Sequence, residues 1–127
     1  HIPANYTRDQ REQLMYRWYR KKLQSILPSL VGKWEKKMYL KANELKIKRL
    51  KTIWGSCNPT AKRIWLNLEL AKKSESCIEY IIVHELAHLI ERNHGNRFIK
   101  TLDRHMPQWR SIREELNKSP LAHENWL

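Results

Sequence analysis

Residues 81–94 read IIVHELAHLIERNH, and no other stretch limits the fold so tightly. At 3.6 residues per turn it is an apolar helix, with Ile81, Ile82, Val83, Leu86, Leu89 and Ile90 calling for burial on most sides. Yet it carries His84, Glu85 and His88. Residues four apart share a helix face. His84 and His88 can therefore aim two imidazoles at one point about 2 Å from each nitrogen, as a zinc ion requires. Glu85 lies about 100° round from His84. A carboxylate there can reach a water on the ion without becoming a ligand, accept its proton and deliver it to a leaving group. Chance gives this pattern roughly 0.02 times in a chain of this composition. Two imidazoles turned into a core without partners cost on the order of 1–3 kcal/mol each, and a cation removes that cost. The competing reading is a pair of core histidines satisfied by ordinary protein groups.

Two imidazoles leave a hydrolytic zinc site one protein ligand short. His94 is the first candidate: it follows His88 by six residues, after LIERN, where Asn93 and Gly95 can turn the chain back. His105, Glu114 and Glu115 are rivals, more simply read as solvated helix-face residues. The expected ligand set is His84, His88 and His94, with Glu85 as general base.

A chain of 127 residues fits one domain with a real core. It opens on His1, as expected of a domain within a longer chain or of a tag remnant. No run approaches the roughly 18 apolar residues of a membrane span, and no signal-peptide pattern opens the chain. Cys57 and Cys77 are too few for a disulfide framework or a four-cysteine zinc site, so a reducing cytoplasm is expected. The net charge of +12 is uneven. Residues 1–53 hold 14 Lys/Arg against 4 Asp/Glu; residues 54–127 hold 11 against 9. That asymmetry hints at an anionic partner such as nucleic acid, although solvated helix faces are the commoner explanation of such charge.

Along the chain, YTRDQREQLMYRWYRKKLQSILPS predicts a helix capped by Thr7 and Gln10, with Leu14, Trp18, Leu23, Ile26, Leu27 and Leu30 inward and a break at Pro28. LVGKWEKKMYLKA predicts a second helix, with Val31, Trp34 and Met38 inward. LKIKRLKTIW reads as a bulged strand, and GSCNPTAK as a turn. RIWLNLEL reads as a strand with Ile64, Leu66, Leu68 and Leu70 on the buried face and Arg63, Trp65, Asn67 and Glu69 on the other. The two strands should pair as an antiparallel ribbon. Ser76 and Glu79 have capping-box spacing at the start of the central helix. Two helices follow, one burying Phe98, Leu102 and Met106, the other Trp109, Ile112 and Leu116. The tail SPLAHENWL carries no pattern. The expectation is one α+β domain over 1–127, with a small antiparallel β-sheet packed on the central metal-binding helix and helices flanking it. Its parts are a basic helical region 1–44, a β-ribbon 45–70, the metal helix and third ligand 72–94, and C-terminal helices 95–118.

His84–Glu85–Leu86–Ala87–His88, then Asn93–His94, Phe98 and HMPQW at 105–109 resemble the YgjP-like metallopeptidase domain, a family related to the SprT-like zinc proteases. The likeness extends upstream to WGSC at 54–57 and LN at 66–67, and so covers roughly residues 8–118. It implies a minimal zincin fold, zinc on His84, His88 and His94, and Glu85 as general base. Members are predicted metal-dependent hydrolases, some associated with restriction systems, and SprT-like relatives include proteases acting on DNA-bound proteins. His88 and His94 have metzincin spacing, but Glu91 stands where metzincins place glycine.

Trp54 and Cys57 are candidates for the substrate groove, with Cys57 also able to cover the zinc; a tight turn at Gly55 with Trp54 as a core anchor is the simpler reading. Asn67 is a weaker candidate for orienting a ligand from behind. The function expected is zinc-dependent hydrolysis of a peptide or protein, with manganese, nickel or iron as possible occupants of the same ligands. The alternatives are a nucleic-acid-associated module, using Tyr16, Trp18 and Tyr19 among Arg17, Arg20, Lys21 and Lys22, and a zinc that only braces the fold.

Overall fold

The computed structural model describes residues 3–118; the tail, 119–127, lies outside the described residues. Thr7 opens the first helix, α1 (Arg8–Met38), through the capping box expected of it: Gln10 N–H donates to the Thr7 hydroxyl and Thr7 N–H to the Gln10 side chain. At 31 residues the helix is about 46 Å long. It runs unbroken through Pro28, where the sequence pointed to two helices. Pro in a helix interior costs about 3 kcal/mol. Burial of Leu23, Leu27, Leu30, Val31, Trp34 and Met38 on one stripe spanning the proline offsets it. That stripe begins at Leu23. Leu14 and Ile26 are half-buried, and Trp18, expected in the core, is 44% exposed.

The strands are β1 (Glu44–Lys48), β2 (Gly55–Asn58) and β3 (Arg63–Asn67), in the order β1-β3-β2. β2 pairs antiparallel with β3, Cys57 opposite Ile64. β1 pairs parallel with β3, Leu45 opposite Ile64. The expected antiparallel ribbon is therefore replaced by a mixed sheet. Residues 49–54 cross from one edge to the other, so the GSCN run, read as a turn, becomes the antiparallel partner. The reversal itself falls at 59–62, where Lys62 adopts φ 52.

β3 stops at Asn67, not Leu70, because the Asn67 side-chain oxygen Oδ1 accepts from Glu69 N–H and caps a 3₁₀ turn, Leu68–Lys72. Leu68 and Leu70 stay buried beyond the strand end. The central helix, α2 (Glu75–Ala87), is capped by Ser74, whose hydroxyl accepts from Cys77 N–H, rather than by Ser76. Glu79 instead accepts from Trp34 Nε1 and Lys33 Nζ, tying α2 to α1. α3 (Asn96–His105) and α4 (Trp109–Asn117) complete the chain, burying Phe98, Leu102 and Met106, and Trp109, Ile112 and Leu116. α2 lies at the centre, touching α1, β2, β3, α3 and α4, with residues 80–87 all buried. No helix among the described residues is long and apolar enough to cross a membrane.

Candidate metal centre

α2 delivers His84 and Glu85 from its last buried turn, and His88 occupies its C-cap position. The helix ends there, and the chain loops through 89–95 before α3 begins. Gly95 precedes α3 with φ −84, so the return of His94 does not use a left-handed glycine. The loop brings His94 back to the other two rings. One ring nitrogen from each of His84, His88 and His94 lies within 4.8 Å of the others, a set that could hold a metal ion. His88 Nε2 and His94 Nε2 are 2.8 Å apart. His105, Glu114 and Glu115 are outside this cluster.

Phe98, the chain's one phenylalanine, is the shared floor. The His88 ring stacks on it at 4.6 Å between centroids, and His84 and His94 meet it edge-on at 5.1 and 4.9 Å. Its place in the apolar stripe of α3 was readable, but its role under three imidazoles was not.

The donor chemistry fits a cation. His88 Nδ1 sits 3.0 Å from the Glu91 carbonyl oxygen, which can only accept, so Nδ1 carries the proton and Nε2 is the basic nitrogen. His84 Nδ1 is 2.9 Å from Glu85 Oε2, and an ionised Glu85 places the proton on Nδ1 there too. Burial lowers the pKa of His88 and of His94 and the neighbouring imidazoles push the same way, outweighing the Glu85 charge that pulls both upward. Both therefore stay neutral at neutral pH, the form that binds metal.

These side chains line a cavity of about 320 Å³ together with Gly55, Ser56, Cys57, Pro59 and Arg92. Gly55 is not a tight turn. It starts β2 hard against α2, where a Cβ would meet Ile81 Cγ2 at 2.9 Å and Glu85 Cγ at 3.0 Å. Trp54 beside it is a buried core residue, away from the cavity lining. Burial, reinforced by the Glu85 charge, pushes the Cys57 thiol up to about 12, so it is a neutral thiol. Asn67 does not reach this cavity. It is fully buried at the end of β3, donating to the Leu50 and Ile53 carbonyls, so it braces the backbone rather than a ligand. From the sequence Gly55 was read only as a turn residue, not as part of the site, and Arg92 was not singled out at all. Three glycines in 127 residues, one of them beside Trp54, was a weak signal for the first, and none existed for the second.

The basic residues offered to nucleic acid are partly self-neutralised. Arg17, Arg20, Arg49 and Tyr16 line a cavity of about 560 Å³ that also contains Asp9 and Glu12. Arg49 pairs with Glu12 at 2.8 Å, and Arg20 donates to the Ile47 carbonyl.

The family model described as "YgjP-like, metallopeptidase domain" matches residues 1–119. No curated protein matches the chain. Among solved structures, the metallopeptidase zymogen of Pyrococcus abyssi abylysin is similar with a TM-score of 0.65 and 20% identity, over 71% of this chain and 90% of that one. The metallopeptidase zymogen of Methanocaldococcus jannaschii jannalysin gives a TM-score of 0.61 and 23% identity, over 69% and 90%. At these identities the two neighbours establish the shared fold. The family match carries the rest: the chain belongs to the YgjP-like metallopeptidase domain family and is a metal-dependent peptidase.

Proposed function

We propose that the ion is zinc, held by His84, His88 and His94, and that Glu85 moves the proton in peptide hydrolysis. The supporting observation is one cavity containing three imidazoles with mutually facing nitrogens and a carboxylate only 2% exposed. Three imidazoles suit zinc and leave its fourth position open. When bound, such an ion supplies Lewis acidity and lowers the pKa of water at the site toward about 7.

The protein's own groups do the rest. The Glu91 carbonyl fixes the His88 tautomer, and Phe98 fixes the three ring planes. Glu85, steadied at His84 Nδ1, accepts the proton of the attacking water and hands it to the departing amine. Ile81, Val83 and Leu86, buried around the turn that carries these groups, keep bulk water behind the site. β2 is an edge strand, and its Gly55–Cys57 segment forms a cavity wall. Its outer main-chain groups can pair with an extended peptide laid across the cavity. The whole chain, 1–127, acts as one catalytic domain, and its two free thiols suit a reducing compartment such as the cytoplasm.

Glu85→Gln tests the assignment. Elemental analysis should find metal in the variant at the wild-type level while cleavage of a peptide pool falls by at least about 100-fold. Undiminished cleavage would remove Glu85 from the mechanism. The same analysis on His84→Ala and His94→Ala identifies the metal and reports the loss of each ligand.

A further inference from the structure

Arg92 lines the cavity and takes no part in the chemistry above. It lies between α2 and α3, four residues after His88 and two before His94. Its Nη2 donates to the Thr60 hydroxyl at 3.0 Å, and Thr60 belongs to the turn joining β2 to β3. The guanidinium thus reaches from the loop after α2 to the far end of β2, along one side of the cavity that holds Glu85 and Ser56. Among the described residues lining that cavity it supplies the fixed positive charge. The acid there, Glu85, bonds His84 Nδ1 at 2.9 Å rather than Arg92.

We propose that Arg92 is a specificity-determining residue that selects peptides bearing a carboxylate close to the scissile bond. This deepens the peptidase reading and rests on it. A guanidinium carries five N–H donors in a planar fork that matches a carboxylate with two parallel bonds. The Thr60 bond occupies one donor and restrains the side chain, which lowers the entropy lost when a ligand docks. β2 supplies the direction. A peptide strand paired antiparallel with β2 has its N-terminal half at the Asn58 end, next to Thr60 and Arg92. The selected carboxylate is therefore an Asp or Glu side chain on the N-terminal side of the cleaved bond. A free C-terminal carboxylate enters from the opposite end.

The test uses the metal-loaded full chain and a pool of equal-length peptides, with cleaved bonds mapped by mass spectrometry. Matched peptides then carry Glu, Gln or Lys on the N-terminal side, Glu or Gln on the C-terminal side, or a free or amidated C-terminus. Wild type should cleave the N-terminal-side Glu peptide with a kcat/KM about fivefold above its Gln partner. Arg92→Ala should bring that ratio to about one, and Arg92→Glu should invert it in favour of Lys peptides, a gain that misfolding does not produce. Binding of the same labelled peptides to Glu85→Gln, followed by anisotropy, should give the same ratios without turnover. Equal cleavage and equal binding of the Glu and Gln peptides overturn the proposal and leave the peptidase intact. A preference retained in binding without any cleavage by wild type supports the Arg92 assignment and faults the catalytic reading alone. Preference for Glu on the C-terminal side or for a free C-terminus overturns the stated placement.

Discussion

Gly55 and Glu85 pack so closely that a Cβ on the glycine would stand 3.0 Å from Glu85 Cγ and 3.2 Å from Oε2, as well as 2.9 Å from Ile81 Cγ2. An edge strand and the central helix meet at the carboxylate to which proton transfer is assigned in the proposed mechanism. Gly55→Ala cannot be accommodated without moving one of those groups. Overpacking of this kind costs about 1–3 kcal/mol. A carboxylate displaced by a fraction of an ångström should lower kcat by about tenfold or more while metal content stays at the wild-type level. Gly32→Ala is the control: nothing lies within 4 Å of its Cβ position, and a helix-interior Ala should add about 0.5–1 kcal/mol. Thermal melts and steady-state kinetics on both variants measure the contrast, and an unchanged kcat in Gly55→Ala would deny the contact its role.

Metal removal should silence the enzyme without unfolding it. The buried core runs from Leu23 and Trp34 on α1 through Leu66 on β3 and Leu86 on α2 to Trp109 and Leu116 on α4, and it closes without any metal ligand. Chelation should therefore leave the far-ultraviolet circular dichroism spectrum helical, abolish peptide cleavage and lower Tm by several degrees. Zinc restored at 100 times its Kd should return about 2.7 kcal/mol. Loss of the helical spectrum on chelation would instead make the ion a structural brace.

The centre of this molecule could be read from sequence because local and global signals agree there. The apolar period of α2 requires burial, and His84 and His88 are polar exceptions at one-turn spacing, so their convergence follows from helix geometry alone. The sheet was harder. Gly55, Ser56 and Asn58 have the composition of a turn, and β2 is a strand only because β3 offers it main-chain partners. The direction of β1 depends on where residues 49–54 cross, which Asn67 fixes through two carbonyls 14 and 17 residues away. No periodicity encodes such a bond. Trp18 was misplaced because a helical stripe does not say where its partner begins: α1 starts to bury residues only at Leu23. Arg92 and Thr60 are 32 residues apart and meet only through the tertiary fold.

Asp103 makes α4 sensitive to acid. Arg110 Nη1 at 2.6 Å and the indole N–H of buried Trp109 at 2.8 Å both donate to Asp103 Oδ1. Arg110, then Trp109, holds the carboxyl below the usual carboxylate range. A depressed carboxyl contributes stability that is complete above its unfolded-state pKa and disappears as pH falls through the folded-state value. Asp103→Asn should therefore be less stable than wild type at neutral pH, and the difference should shrink below about pH 4. Urea titrations at pH 7 and pH 3 check this; a gap that widens in acid would reverse the sign of the argument.

Asn67 ties the crossover to the site. Its side-chain amide donates to the Leu50 and Ile53 carbonyls at 2.8 and 2.9 Å, its side-chain oxygen Oδ1 accepts from Glu69 N–H at 2.9 Å, and it is fully buried. Its own N–H donates to the Trp54 carbonyl, one residue before the Gly55 contact with Glu85. Asn67→Ala leaves two part-buried carbonyls and one N–H without their partner and should cost about 1–3 kcal/mol. Asn67→Asp should be worse, because an ionised carboxylate can only accept and would face two other acceptors. Both variants loosen the segment that presses β2 onto α2, so residual folded protein should also show a lower kcat at unchanged metal content. Urea denaturation read beside single-turnover cleavage separates the two effects. Full activity in a destabilised Asn67→Ala would confine this residue to the fold and leave Gly55 positioned by the sheet alone.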